Sequence, residues 1–167
     1  KFLNFSIKFL IIFLLACLFF IFSTFWYFSI GLPDYKKLSN YQPPISSRVY
    51  SSDGKLIAEY ALEKRLFIPY ESIPKKVVNS FLSAEDKNFF KHPGVDAKGI
   101  LRALIKNLKN ISNNKRLEGA STITQQVAKN FLLNNEVSIN RKIKEAILAF
   151  RIERNYTKKR ILELYLN

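Results

Sequence analysis

Two acidic residues stand where the apolar pattern of the chain predicts buried helix faces, and they are its strongest candidates for chemistry. The first, Glu85, lies on an apolar stripe with Phe81 four residues before it and Phe89 four residues after it. A carboxylate on a buried face is either paired with a cation or shifted towards its protonated form, as a general acid or base requires. The alternative is a boundary residue that turns out to solvent. Asp86, beside it, is either an orienting group or a solvated acid.

The second acid, Glu145, follows Arg141 by four residues and shares a helix face with Leu148 and Ile152. Charges at this spacing usually form a surface ion pair that contributes a few tenths of a kcal/mol. A purely solvated acid is unusual on such a face, however. The alternative is that Arg141 and Lys142 lie beside the acid and bind a pyrophosphate.

The segment 119–130 combines a helix start with polar side chains. The polar residues that share one face of the predicted helix are Thr122, Gln126, Lys129 and Asn130. Free backbone amides at a helix start, together with Ser121 as its cap, suit a phosphate or a sugar. An ordinary capped amphipathic helix is the alternative, and on this segment alone it is the better one.

His92 carries the only imidazole, and the Pro93-Gly94 pair that follows it predicts a helix break. A lone histidine is more often a hydrogen-bonded structural residue than a ligand, and this is the interpretation we favour. With one His and one Cys, Cys17, the chain has no zinc site of the usual kind. A hard cation held by carboxylate and pyrophosphate oxygens stays open.

The stretch 9–30 contains 22 residues without a charge. As a helix it would be about 33 Å long, against roughly 30 Å for the hydrocarbon core of a bilayer. A cleaved signal peptide is the alternative, but the run is too long and its end too bulky for a cleavage site. The sequence predicts a single transmembrane helix after a cytoplasmic stub, residues 1–8. Lys36 and Lys37 beyond it weaken the orientation signal.

The chain carries 27 basic and 13 acidic residues, a formal charge of +14. Without residues 1–30 there remain 25 basic and 13 acidic residues, or +12. Such a field attracts nucleic acid, anionic lipid or phosphorylated ligands without choosing among them. A domain anchored on the outer face would meet no nucleic acid, which leaves lipid headgroups and pyrophosphates.

The remaining patterns predict a mainly α chain. Residues 31–70 read as a linker, extended over 31–46, with strands near 47–51 and 55–60 around an Asp53-Gly54 turn and a third near 65–69. Residues 71–167 read as one helical domain. Its predicted features are a helix opened at 72–74, a second capped by Asp96, a mobile loop at 107–120, a third from Ser121 to about Leu133, a fourth over 138–155 and a fifth from Thr157. Since Met is absent and residue 1 is Lys, we expect an N-terminal fragment whose last domain is incomplete at its C-terminus.

Four segments carry a family resemblance by their order and spacing: SAEDKNFFKHPGVD (83–96), GASTITQQVAKN (119–130), RKIKEAILAFRIE (141–153) and KKRILELYLN (158–167). They resemble four successive motifs of the peptidoglycan glycosyltransferase (transglycosylase) domain of class A penicillin-binding proteins. The resemblance implies a lysozyme-like glycosyltransferase domain, anchored in the cytoplasmic membrane and facing outward. It also implies that the domain polymerises lipid II into a glycan strand.

The resemblance also implies roles for single residues. Glu85 matches the catalytic base, and Glu145 matches the acid that assists the leaving pyrophosphate, directly or through a divalent cation such as Mg or Mn. Donor phosphates and sugars would be held by Ser121, Thr122, Gln125, Gln126, Lys129, Asn130, Arg141 and Lys142. Orienting positions would be Asp86, Phe89, His92 and Gly94. Partner proteins of cell-wall synthesis, or a homodimer, are further implications, and no organic cofactor is expected.

Two other functions fit a domain of this kind. One is a membrane-anchored muramidase that hydrolyses finished glycan, and the other is a non-catalytic scaffold that binds lipid II. The products formed from lipid II would discriminate between them.

Overall fold

The computed structural model describes residues 2–39, 41, 47–60, 66–113, 115–134 and 136–167. Within these residues the chain is mainly helical, with one small antiparallel sheet, as predicted. The elements are α1 (Phe2–Ser29), β1 (Ser47–Tyr50), β2 (Leu56–Tyr60), α2 (Lys75–Glu85), α3 (Ala97–Ser112), α4 (Ile123–Leu132), α5 (Ile139–Asn155) and α6 (Lys158–Leu166).

Helix α1 contains the predicted apolar run and begins seven residues before it, at Phe2. Its stretch Ile7–Ser29 has a mean hydropathy of 2.6, and its apolar side chains are exposed. A helix of this length and composition is able to cross a membrane. At its end, Ser29 accepts a hydrogen bond from the Arg151 side chain of α5.

The segment after α1 is not wholly extended, contrary to our expectation for 31–46. Asp34 accepts a hydrogen bond from the Lys36 amide and caps a 3₁₀ turn, Tyr35–Leu38. The turn forms because Leu38, only 1% exposed, packs into the core of the helical domain. The hydroxyl of Tyr156 donates to the Tyr35 carbonyl oxygen at 3.0 Å. Residues 40 and 42–46 lie outside the described part of the chain.

Strands β1 and β2 form the predicted hairpin, closed by Gly54 at a φ of +79°. The third strand expected near 65–69 is not formed over 66–69, and residue 65 lies outside the described residues. This segment is instead held by the last helix. The Asn167 side chain bonds to both the amide and the carbonyl of Ile68, at 2.7 and 2.9 Å, and Glu163 accepts from the Tyr70 amide at 2.9 Å.

The core lies where α4 and α6 pack together and α4 crosses α5. Its side chains are at most 6% exposed: Leu38, Val78, Phe89, Ile123, Val127, Ala128, Leu148, Ile152, Ile161, Leu162 and Leu164. Local caps set the start of two of these helices, because Ser138 and Thr157 accept from backbone amides in the first turns of α5 and α6. The sequence predicted helix starts at both residues.

Helix α3 begins as predicted, with the Asp96 carboxylate accepting from the Gly99 amide at 3.0 Å. The predicted loop 107–120 is wrong over its first part, since α3 continues to Ser112. Beyond it the chain folds back along the helix, because the Asn107 side chain bonds to the amide and carbonyl of Glu118.

Candidate active site

Glu85 is the last residue of α2, and its side chain is exposed. The expected burial on an apolar stripe is therefore wrong, and the stripe does not continue to Phe89, which lies in a separate 3₁₀ turn. The Glu85 carboxylate accepts a hydrogen bond of 2.8 Å from the Gln126 side chain of α4. This bond fixes one carboxylate oxygen and leaves the group open to a ligand.

The buried acid is the next residue, Asp86, and α2 ends immediately before it. Its carboxylate, on a side chain 3% exposed, lies 2.9 Å from Nε2 of His92 and accepts from the Ile123 amide at 3.1 Å. The Gly94 amide donates to Nδ1 of His92, so Nε2 carries the proton that is donated to Asp86. His92 thus joins three segments as a structural residue, in agreement with the interpretation we favoured.

Gly94 is required by its backbone and by its surroundings. Its φ is +103°, and a Cβ at this position would lie 2.8 Å from the Ala149 carbonyl oxygen of α5. The Gly94 carbonyl accepts from the Thr122 hydroxyl at 2.5 Å. The neighbouring Phe89 is fully buried in the core. Both residues are buried, and the orienting role that the resemblance implied for them stays a prediction.

The cap of α4 is Thr122, one residue after the predicted Ser121. Thr122 and Gln125 form a reciprocal capping box, and both are almost fully buried. The Thr122 hydroxyl accepts from the Gln125 amide at 3.2 Å, and the Gln125 side-chain oxygen accepts from the Thr122 amide at 3.0 Å. Direct substrate binding by these two residues, which the resemblance implied, stays a prediction. Ser121, released from capping, turns its hydroxyl towards Lys142.

Glu145 is 1% exposed and is enclosed by cations. One oxygen accepts from the Arg141 guanidinium, and the other accepts from Lys142 Nζ at 2.8 Å. The surface ion pair that i,i+4 spacing usually indicates is thus a buried one. A buried carboxylate of this kind needs its partners, since removing either would leave an uncompensated charge. With Lys129, this cluster places three cations against one acid.

The cluster carries excess positive charge, and Lys142 shows the effect. Burial lowers the pKa of Lys142 below the usual lysine range, and the charges of Arg141 and Lys129 act in the same direction. The Glu145 carboxylate, 2.8 Å away, opposes this shift. An anion that entered the cluster would relieve the repulsion among these cations.

Two clefts meet at Glu85. The cationic cleft, of about 420 Å³, is lined by Glu85, Gln126, Lys129, Arg141, Lys142 and Glu145 together with Ala84, Gly119 and Ser121. A polar cleft of about 410 Å³ on the other side contains Asn88, Asp96, Arg102 and Glu118. Glu85 and Ser121 line both clefts. Asn130, by contrast, is exposed at the last turn of α4 and stands outside both walls.

The surroundings of Glu145 do not fit a resident divalent cation. Both carboxylate oxygens already accept from cationic side chains. Among the residues that the structure describes, no three His, Cys, Asp or Glu side chains cluster as metal ligands do. The positive charge that this arrangement itself offers to a ligand comes from Lys129, Arg141 and Lys142.

Sequence reasoning missed several residues that hold the site together. Lys158 donates to Glu153 at 2.7 Å and to the His92 carbonyl at 2.8 Å, and Thr124 donates to Glu153 at 2.6 Å. These bonds join the second, third and fourth motifs to the first. Burial raises the pKa of the Tyr165 phenol, and the negative charge of the nearby Glu85 raises it further. The apolar periodicity of the sequence does not distinguish any of these residues.

Comparison with known proteins adds an independent observation. The family model described as Transglycosylase matches residues 53–167. The chain is 59% identical to penicillin-binding protein 1A of Rickettsia felis over 142 residues, 85% of this chain and 18% of that protein. It is 48% identical to penicillin-binding protein 1A of Pseudomonas aeruginosa over 141 residues, 84% of the chain and 17% of the relative. For penicillin-binding protein 1A of Aquifex aeolicus the identity is 45% over 137 residues, 82% and 18% of the two chains.

The chain thus spans less than a fifth of the length of these curated relatives. The match begins within the hairpin and runs through all four motifs and both clefts. The chain therefore belongs to the transglycosylase family, whose domain has the lysozyme-like fold that the motifs implied.

Proposed function

We propose that this chain is a peptidoglycan glycosyltransferase region that polymerises lipid II into β-1,4-linked glycan strands. The observation that carries the proposal is the cationic cleft. It has an open carboxylate, Glu85, in its wall and a buried carboxylate, Glu145, held among Lys129, Arg141 and Lys142. Membership of the transglycosylase family supports the same reaction class.

In the proposed reaction, the 4-hydroxyl oxygen of the acceptor GlcNAc attacks C1 of the donor MurNAc. The new bond joins that oxygen to C1, and the bond between C1 and the pyrophosphate oxygen breaks. Glu85 takes the hydroxyl proton, and undecaprenyl pyrophosphate leaves with the bonding electrons. A base on one face and charge stabilisation on the other are what an inverting displacement of this kind requires.

The roles of the cations follow from their positions. A pyrophosphate in the cationic cleft would meet Lys129, Arg141 and Lys142, which neutralise the charge that develops as it leaves. Glu145 fixes Arg141 and Lys142 in place through its two bonds. In this scheme Glu145 is a positioning residue for the cations, and no step is assigned to a divalent cation.

The acceptor strand is assigned to the polar cleft on the other side of Glu85. Asn88, Asp96, Arg102 and Glu118 offer hydrogen-bond donors and acceptors there, as sugar hydroxyls require. Two clefts that meet at one open carboxylate allow donor and acceptor to approach it together.

The substrate is a lipid, and two helices suit a domain that works at a bilayer. The apolar helix α1 would anchor the chain with its N-terminus in the cytoplasm and the clefts on the outer face. Helix α3 exposes an apolar stripe, including Leu101, Leu104 and Leu108, each at least 56% exposed. Basic side chains flank this stripe at Lys98, Arg102, Lys106 and Lys109. This pattern is typical of helices that lie in a membrane interface. Partner proteins and a homodimer remain predictions.

The test replaces Glu85 by Gln in the full-length protein and measures polymer formed from radiolabelled lipid II. We expect Glu85→Gln to abolish polymerisation without lowering Tm, because the side chain is exposed and amide for carboxylate preserves its shape. Glu71→Gln, at an exposed acid in the turn before α2, is the matched control and should retain wild-type rates.

Three results would contradict the proposal. Wild-type rates in Glu85→Gln would show that Glu85 is not the catalytic base. Short reducing fragments released from finished peptidoglycan would identify a muramidase, and binding of lipid II with no turnover by the wild type would identify a scaffold.

A further inference from the structure

A third cavity, which we call the apolar groove, lies between α1, α5 and the start of α3. Its volume is about 620 Å³. Its walls are formed by Phe20, Ile21 and Phe25 of α1 and by Ile143, Ala146 and Phe150 of α5. Within the groove Thr24 of α1 donates its hydroxyl to the Phe20 carbonyl at 2.8 Å, so this polar group is already satisfied. The groove is suited to hydrocarbon.

The apolar groove adjoins the cationic cleft. Lys142 and the neighbouring backbone of α5 form the boundary, since Lys142 lines both cavities. On α5 the cleft residues stand at 141, 142 and 145, whereas the groove residues stand at 139, 143, 146 and 150, one row further around the helix. One helix therefore presents cations and an apolar stripe side by side.

This juxtaposition matches an amphiphile with a pyrophosphate joined directly to a long apolar chain. The stripe from 139 to 150 extends over roughly 17 Å of α5 at about 1.5 Å per residue. The opposite wall belongs to the apolar stretch of α1, where Phe20 and Ile21 are 72% and 62% exposed. A chain lying here would therefore leave the groove directly into the bilayer.

We propose that the apolar groove binds the part of the polyprenyl chain nearest to the pyrophosphate of the donor. The proposal rests on the proposed function, because it takes the occupant of the cationic cleft to be a polyprenyl pyrophosphate. Continuity with that cleft through Lys142 favours this chain over the acyl chain of a bulk phospholipid, because a pyrophosphate brings more negative charge to the three cations than a single phosphodiester does. Helix α1 is then a part of the substrate site as well as an anchor.

The experiment compares two adjacent phenylalanines of α1 in the full-length protein in phosphatidylcholine vesicles. Phe20 lines the groove and Phe19 does not, yet both are 72% exposed. With a donor that carries the full-length polyprenyl chain, Phe20→Ala should raise KM by about fivefold through lost apolar contact, whereas Phe19→Ala should leave it unchanged. With a donor shortened to a single prenyl unit, both variants should equal the wild type.

A second variant fills the groove. Ala146→Phe should raise KM for the long-chain donor and leave that for the short-chain donor unchanged, and its Tm shows whether the variant is folded. Equal KM values for Phe19→Ala, Phe20→Ala and Ala146→Phe with the long-chain donor, while the wild type polymerises, would overturn the inference alone. A KM that follows the phospholipid acyl composition and not the donor chain would identify a bulk lipid as the occupant and overturn it too. No polymer from either donor with the wild type would instead refute the proposed function.

Discussion

The two sides of the candidate active site differ in how deeply the side chains of their helices are buried. On one side, α4, α5 and α6 bury Ile123, Leu148 and Ile161 completely. On the other side, α3 contributes no residue to that core, and Leu104 is 56% exposed. The cations and the capped start of α4 belong to the packed side, and the unpacked side completes the polar cleft. The difference indicates that the cations stand on helices of the core, whereas part of the polar cleft is formed by a helix outside it.

The comparison is tested most strongly by two leucines. Leu148→Ala should lower the free energy of unfolding by about 2–5 kcal/mol, because it opens a cavity in a core with no exposure. Leu104→Ala on α3 should change it by no more than about 0.5 kcal/mol in detergent, since the side chain is exposed. Denaturant unfolding measures both values. Similar losses at the two positions would show that α3 is packed in solution and would break the comparison.

Substitutions at two glycines extend the comparison between the packed and the unpacked side. Gly94→Ala should cost about 1–3 kcal/mol, because it forces an L side chain to a φ of +103° against the Ala149 carbonyl. Gly119→Ala, in the segment that folds back along α3, has no atom within 4 Å of its Cβ and should stay within about 0.5 kcal/mol. Thermal melts of both variants provide the measurement. A Gly94→Ala variant as stable as wild type would show that the first motif is not held against α5.

The smallest effect is a shift in pH dependence. The lowered pKa of Lys142 means that it loses its charge as pH rises before an ordinary lysine would, so kcat/KM should fall at a lower pH than the titration of an ordinary lysine would produce. Lys142→Arg should move this alkaline limb upwards, because a guanidinium keeps its charge. Lys98→Arg, exposed on α3, is the control and should not move it.

The same shift has a signature in stability. A lysine whose folded pKa is depressed makes the free energy of unfolding rise with pH between the folded and unfolded values. Lys142→Arg should remove that rise. An alkaline limb that stays in place in this variant would assign it to another group.

The helix starts were predictable from the sequence because caps are local. Asp96, Ser138 and Thr157 each accept from the amide three residues on, and Asp, Ser and Thr are residue types that favour this position. The end of α2 was not predictable in the same way. The residue that follows it, Asp86, bonds to His92 six residues on and to Ile123 thirty-seven residues on, and the second partner is far away in sequence.

The exposed apolar face of α3 shows a limit of periodicity, because a pattern along one helix does not say what covers its apolar side. The burial expected for Glu85 was wrong for a related reason. An apolar stripe describes one face of a continuous helix, and Glu85 is the last residue of α2. The placement of Glu145 among cations was predictable, since Arg141 and Lys142 precede it by four and three residues on the same helix. The two clefts and the apolar groove need coordinates, because each is formed by at least three separate segments.

The hydrogen bonds at Ser29 and Tyr35 have a mechanical consequence. An apolar helix longer than the local hydrocarbon thickness tilts to match it. Because Arg151 of α5 donates to Ser29, and Tyr156 beyond the end of α5 donates to Tyr35, such a tilt would rotate the helical domain about the end of α1. The height of Lys129, Arg141 and Lys142 above the lipid headgroups would then vary with bilayer thickness.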